Sequence, residues 1–266
     1  MRIALVQSPC ALGDKRGNVD RMAERIGETE ADLFVFCEAY LTGYMVRDRF
    51  PVLADEGDLD RVISIAEEHD CHILFGAPMW DQEIHGVLKN CAIAVSPGGR
   101  VQRYDKIFLA NFGPFEEKIH FGQGDRPALF EFGDMRFGVC ICYDVFFPEL
   151  SKHYAMRGAH GLICISAAPV TSRPLFERVL PARAAENTMY SIYVNQVGAQ
   201  LNQVFFGGSQ AHGPGGELMT KCDYFAPDTR LVEIDPVEIE MARRSRPTLR
   251  DTLSSPWNPW RDEILE

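Results

Sequence analysis

Three polar residues stand where short apolar runs end. Glu38 follows DLFVFC, Lys106 follows RVQRYD and Cys142 follows MRFGVCI. If those runs are strands, each side chain sits at a carboxyl end, where α/β proteins commonly build their sites. A thiol, a carboxylate and an ammonium together suit acyl transfer, supplying a nucleophile, a proton shuttle and a cation for a developing oxyanion. The segment after Cys142, Tyr143 to Leu150, reads as a turn entering a helix with Pro148 in its first turn. A thiol at such a junction lies near free backbone N–H groups, which favour the thiolate and hold an oxyanion. Bland alternatives stay open on residue type alone. Cys142 is equally a core cysteine like Cys140, and Glu38 with Lys106 an ion pair joining two loops. The pair Cys140-x-Cys142 lacks a second Cys/His pair at a recognisable spacing, so no metal site is read. Among seven histidines, only His120 and His212 fall in segments that reach toward such a site, and a lone histidine is more often structural.

Short Val/Ile/Phe-rich runs alternate with amphipathic segments. RIALVQS, DLFVFC, CHILFG, NCAIAVS, RVQRYD, ALFEF, MRFGVCI, GLICIS, SIYVNQV, FFGGSQAH and RLVEID read as strands. Helical spacing links Val19, Met22, Ala23 and Ile26, and again Leu59, Val62, Ile63 and Ala66; further helices are expected near Pro148–Arg157 and Pro174–Asn187. Helices between some strands and hairpins between others imply mixed sheets with helices on their outer faces. The turns SPGGRV (96–101) and GPGGEL (213–218) occur once in each half, as a pseudo-repeat of two half-sheets or as coincidence between common turns. No linker is evident, so residues 1–266 read as a single domain. Its least regular stretches are Asp105–Asp125 and a C-terminal arm, 247–266, whose Trp257 and Trp260 are expected to dock on their own domain or on a partner chain.

The chain has 266 residues, 46% hydrophobic and 24% charged, with a net charge of −11. An acidic balance without a Lys/Arg block argues against nucleic-acid and anionic-membrane surfaces. No apolar stretch reaches the roughly 18 residues of a membrane span and no signal peptide precedes Ile3–Val6. The eight cysteines lie mostly inside apolar runs, where they pack as small hydrophobes. These features together predict a cytoplasmic protein with reduced thiols. No Gly-rich loop with Lys-Ser/Thr is present, so ATP use is not expected.

Four regions together resemble the nitrilase superfamily of carbon–nitrogen hydrolases: AYLTGY after Glu38, YDKIFL around Lys106, FEEKIHFGQGD around Glu117 and GVCICYDVFFPEL around Cys142. GAHGLICIS, ARAAEN with SIYVNQVG, and FFGGSQAHGPGGEL extend the likeness over essentially the whole chain. The resemblance implies a four-layer αββα sandwich of two mixed sheets with outer helices, and a Glu38–Lys106–Cys142 triad. Glu117 rather than Glu116 matches the family's additional glutamate, which in amidases helps position the substrate amide. The backbone N–H of Tyr143 joins Lys106 as an oxyanion donor. Tyr44, Asn111, Phe112, Tyr143, Phe146, Ala167 and Arg173 lie in or next to loops that should rim the site. Arg173 either pairs a substrate carboxylate or is a surface charge at a helix start.

The implied reaction is cofactor-independent hydrolysis of a small carboxamide or N-carbamoyl compound by water, with release of ammonia. Cys-Tyr-Asp at 142–144 fits amidases and carbamoylases better than nitrilases, which more often carry Cys-Trp-Glu. Nitrile hydrolysis, a glutaminase feeding a partner synthetase, and a catalytically silent scaffold are the competing readings. The family also implies a homodimer or higher homo-oligomer joined through helix 148–158 and the Trp257/Trp260 arm.

Overall fold

Alternation along the first strand sets the layering. In the computed structural model, which describes residues 1–54 and 57–255, β1 spans Arg2–Gln7. Its Ile3 and Leu5 enter the same apolar cluster as Val139 and Ile163 of a second sheet, whereas Ala4 and Val6 pack with Val19, Met22, Val62 and Ala66 on two helices. A strand with period-two side chains buried on both faces must lie between two layers. The helices beneath it are α1 (Lys15–Gly27) and α3 (Leu59–Glu68).

The first sheet runs β14 (Asp228–Glu233), β1, β2 (Leu33–Val35), β3 (His72–Trp80), β4 (Leu88–Val95), β5 (Val101–Asp105). The second runs β6 (Leu129–Phe132), β7 (Met135–Ile141), β8 (Gly161–Ser166), β9 (Tyr190–Asn195), β12 (Gln210–His212), β13 (Leu218–Lys221). Both are mixed, and both have one pattern: three central parallel strands, β1–β2–β3 and β7–β8–β9, flanked by antiparallel neighbours. Helices α5 (Pro148–Met156) and α6 (Arg173–Asn187) cover the second sheet through Leu150, Tyr154, Phe176 and Leu180. The result is the expected αββα sandwich.

The two Pro-Gly-Gly turns occupy equivalent places, joining β4 to β5 and β12 to β13. They also close in the same way. Ser96 N donates to Arg100 O and Gly99 N to Ser96 O, while Gly213 N donates to Glu217 O and Gly216 N to Gly213 O. The third residue of each Pro-Gly-Gly stands at positive φ, +74° at Gly99 and +91° at Gly216, where glycine is favoured.

Several elements lack a strong sequence signal. A separate hairpin, β10 (Val197–Gln200) with β11 (Gln203–Phe206), continues from the β9 run, and α7 (Pro236–Ser245) follows β14. Two four-residue helices, α2 (Phe50–Leu53) and α4 (Glu117–His120), lie within loops near the strand ends. The arm read as irregular starts with α8 (Thr248–Ser254), whose Thr248 Oγ1 donates to Glu186 O on α6. Trp257 and Trp260 lie outside the described residues. Among those described, no helix is long and apolar enough to cross a membrane. All eight cysteines are buried and unpaired.

Candidate active site

Glu38 is placed by the chain leaving β2. After pairing ends, Phe36 N still donates to Leu74 O and Gly76 N to Cys37 O, so the backbone hugs β3 as it turns at Ala39, which has φ +50°. Gly76 makes this approach feasible: a Cβ there would lie 2.3 Å from Ala39 N and 2.7 Å from the Glu38 carbonyl carbon. Lys106 follows β5 by one residue, and its N–H donates to Asn90 O on β4 (2.9 Å). Glu117 opens α4 and is folded back on Ala110: Glu117 N donates to Ala110 O, and Ala110 N to Glu117 Oε2 (2.8 Å).

Cys142 directly follows β7 and takes φ +50°, a conformation that costs a side-chain-bearing residue energy and turns it sharply off the strand. Asp144 secures that turn. Its Oδ2 accepts from Ile141 N (2.9 Å) and Tyr104 OH (2.8 Å), and its Oδ1 from Phe108 N (2.8 Å). One carboxylate thus ties the bend at Cys142 to both sides of Lys106. Burial holds the Asp144 pKa up at about 6.

The three charged side chains converge. Lys106 Nζ lies 2.8 Å from Glu38 Oε1 and 2.7 Å from Glu117 Oε1, and all three residues are at most 3% exposed. Glu38 also accepts from Asn90 Nδ2 on Oε1 and from Ala167 N on Oε2, both at 2.8 Å. Glu117 Oε1 takes the Tyr44 hydroxyl at 2.6 Å. Each carboxylate therefore has its lone pairs aimed by fixed donors, as a buried charge requires.

The charges set the proton inventory. Burial raises the Glu38 pKa against the pull of Lys106, with the Glu117 charge adding to the rise. Burial alone would discharge Lys106, but the Glu117 and Glu38 charges outweigh it and hold the ammonium well above its ordinary range. The Cys142 thiol is raised well above its ordinary value by burial and then by Glu38, while Lys106 and the Ser166 hydroxyl draw it down. The resting arrangement is thus a neutral thiol beside a carboxylate disposed to accept a proton, with a permanent cation adjacent. Such a set can deprotonate a nucleophile on demand and neutralise an oxyanion.

A cavity of about 300 Å³ opens on Cys142, walled by Phe112, Phe115, Tyr143, Phe146 and Phe176. Of the rim residues expected from sequence, Phe112, Tyr143 and Phe146 line it. Tyr44 instead buttresses Glu117 from within, and Ala167 acts through its backbone on Glu38. Asn111 is exposed and lies off the lining, and the Arg173 guanidinium sits 5.0 Å over the Tyr224 ring. Glu116 is exposed, whereas Glu117 reaches Lys106. The two histidines make other contacts: His120 packs beside Phe50, and His212 bonds Gly216 O and Gln210 Oε1. Among the described residues, no group of three or more His, Cys, Asp or Glu is arranged to hold a metal. Sequence reasoning missed Asn90 and Ser166, polar residues inside strand-like runs that end in the site. Their one available signal was a buried-type run carrying an amide or hydroxyl at its end.

Comparison with known proteins matches the chain to a family. A family model described as carbon–nitrogen hydrolase matches residues 2–244. An (R)-stereoselective amidase from a Pseudomonas species is 30% identical, the alignment covering 94% of this chain and 91% of the amidase. A glutamine-dependent NAD(+) synthetase from Aquifex aeolicus is 28% identical over 91% of this chain, which spans only 44% of the synthetase. Among solved structures, a mutant amidase from Nesterenkonia sp. AN1, with acrylamide added to its active-site cysteine, superposes with a TM-score of 0.78 at 28% identity. It covers 92% of this chain and 97% of its own.

Proposed function

The chain belongs to the carbon–nitrogen hydrolase family, and we propose that its site hydrolyses a small carboxamide or N-carbamoyl compound through a thioester on Cys142, releasing ammonia. The observation carrying this reading is Lys106 Nζ held between Glu38 Oε1 and Glu117 Oε1, at 2.8 and 2.7 Å, beside a thiol in a cavity.

Cys142 Sγ attacks the amide carbon as its proton passes to Glu38. The carbonyl oxygen becomes an oxyanion facing Lys106 Nζ and the Tyr143 backbone N–H. Removing one such donor typically costs on the order of 10²–10³ in rate. Collapse breaks the C–N bond, and Glu38 returns the proton to the departing nitrogen as ammonia leaves. Water then attacks the thioester, giving its proton to Glu38; the C–S bond breaks, acid is released and the thiol is restored. A raised carboxylate pKa serves both directions, because Glu38 must accept a proton and give it back within each turnover. Glu117, fixed by Ala110 N and Tyr44, orients the ammonium and presents the one remaining lone pair on its Oε2 to the substrate NH₂.

Self-association through α5 and the 247–266 arm belongs to the same reading, and light scattering on full-length and 1–246 chains tests it. The reaction itself is tested by ammonia release from amides, ureido acids, glutamine and nitriles by wild type and Cys142→Ala. Release from an amide or ureido compound that vanishes in Cys142→Ala supports it. Nitriles as the preferred substrates, or no Cys142-dependent release, defeat it.

A further inference from the structure

We propose that the acyl portion of the substrate is uncharged and apolar, about one aromatic ring on a short linker; this rests on the hydrolase reading above. The cavity at Cys142 is bordered mainly by apolar side chains. Its side walls are Phe112, Phe115, Tyr143, Phe146, Leu175 and Phe176, and away from the thiol its polar side-chain atoms are the Tyr143 and Ser172 hydroxyls. The aromatic walls brace one another edge-on: Phe112 against Phe115 and Tyr143, and Phe146 against Phe176, with ring centroids 4.9–5.4 Å apart. Phe176 in turn packs on the buried Tyr193 at 5.1 Å.

Charge is missing from this lining. Among the described residues that border the cavity, none is Asp, Glu, Lys, Arg or His. The nearest charges in the site are already committed, Lys106 to two carboxylates and each carboxylate to its own donors. Arg173, the one candidate for a substrate carboxylate, is drawn to the Tyr224 ring, where Lys221 Nζ also sits at 4.6 Å. A carboxylate or ammonium carried in on the acyl group would be desolvated without a partner, which is strongly unfavourable. A methylene chain or a ring gains at each wall instead.

Size narrows the class further. The cavity holds about 300 Å³, roughly twice the ~150 Å³ that accommodates a benzene ring. That leaves room for one ring, a short linker and the amide, and little beyond. Leu175, 54% exposed at the start of α6, stands at the mouth and marks where a substituent at the far end of the acyl group would arrive.

Binding to Cys142→Ala by calorimetry tests this apart from turnover. The probes are 3-phenylpropanamide, its para-carboxylate analogue and glutamine. The parent amide should bind on the order of 100-fold more tightly than either charged compound. In Leu175→Arg combined with Cys142→Ala, the para-carboxylate analogue should gain at least about tenfold, because the new guanidinium pairs it. Charged compounds binding as tightly as the parent, or none of the three binding at millimolar concentration, overturns the inference. Should the parent bind selectively while wild type releases no ammonia from it or from any other amide or ureido compound, the hydrolase reading fails and the apolar site remains.

Discussion

Replacing Lys106 with Met removes one ammonium and leaves two carboxylates facing each other in a buried site. Both contacts are short, 2.8 Å to Glu38 and 2.7 Å to Glu117. Losing one member of a buried ion pair typically costs about 3–5 kcal/mol, because the partner charge stays desolvated. Here each carboxylate keeps two other donors, Asn90 and Ala167 for Glu38, Tyr44 and Ala110 for Glu117. The lower end, about 3 kcal/mol, is therefore expected at pH 8. For a chain of this size that is a melting midpoint lower by roughly 6–12 °C.

The pH dependence carries the sharper signal. Without the cation, the Glu38 carboxyl, already raised by burial, rises further and Glu117 repels it. A carboxyl with a raised folded pKa contributes stability that is full below its unfolded value, about 4.3, and is lost as pH climbs through the folded value. The deficit of Lys106→Met should thus shrink at pH 5.5 and widen at pH 8. Urea melts at both pH values measure it, with turnover expected to fall at least 10²–10³-fold. Equal stability deficits at both pH values, or none, would refute the claim that Lys106 neutralises both carboxylates.

Three further outcomes follow from the same geometry. Gly76→Ala places a Cβ 2.3 Å from Ala39 N and must push Glu38 out of register, so kcat should fall roughly 10²-fold while the circular dichroism spectrum stays native; unchanged kcat would contradict the positioning role. Ser166→Ala removes a hydroxyl that draws the thiol pKa down, so the pH profile of Cys142 alkylation by iodoacetamide should move to higher pH, and a profile that stays put counts against it. Asp144 titrates near 6 in the fold, against about 3.9 unfolded. Its stabilising share is therefore full below about pH 4 and lost through pH 6, and wild-type stability relative to Asp144→Asn should fall by on the order of 2–3 kcal/mol between pH 4 and 7. A flat difference in chemical denaturation would show that Asp144 does not carry this linkage.

The architecture was legible where one physical signal dominates. Continuous Val/Ile/Phe runs such as GLICIS and MRFGVCI became strands with those very bounds, because burial on both faces needs uninterrupted apolar sequence. DLFVFC paired over only Leu33–Val35, since the chain then bends around Gly76 to deliver Glu38. The convergence of Glu38, Lys106, Cys142 and Glu117 was legible through four ordered motifs rather than through any spacing. What stayed hidden was mostly main-chain chemistry. Nothing in the side chain of Ala167 or Ala110 announces that its N–H will hold a carboxylate. Arg173 was ambiguous for a related reason: a long cation takes whichever partner lies near, and a ring 5.0 Å away on Tyr224 is invisible in sequence. The matching turns at 96–101 and 213–218 needed strand order before coincidence gave way to equivalence.

Acyl transfer through the Cys142 sulfur leaves a covalent intermediate that intact mass with peptide mapping detects. Wild type and Glu38→Gln are acid-quenched during incubation with an apolar amide. The expected product is an adduct equal to the substrate less ammonia, located on the peptide carrying Cys142, discharged by hydroxylamine and absent from Cys142→Ala. An adduct on any other residue, or ammonia release by Cys142→Ala at the wild-type rate, would contradict transfer through this sulfur.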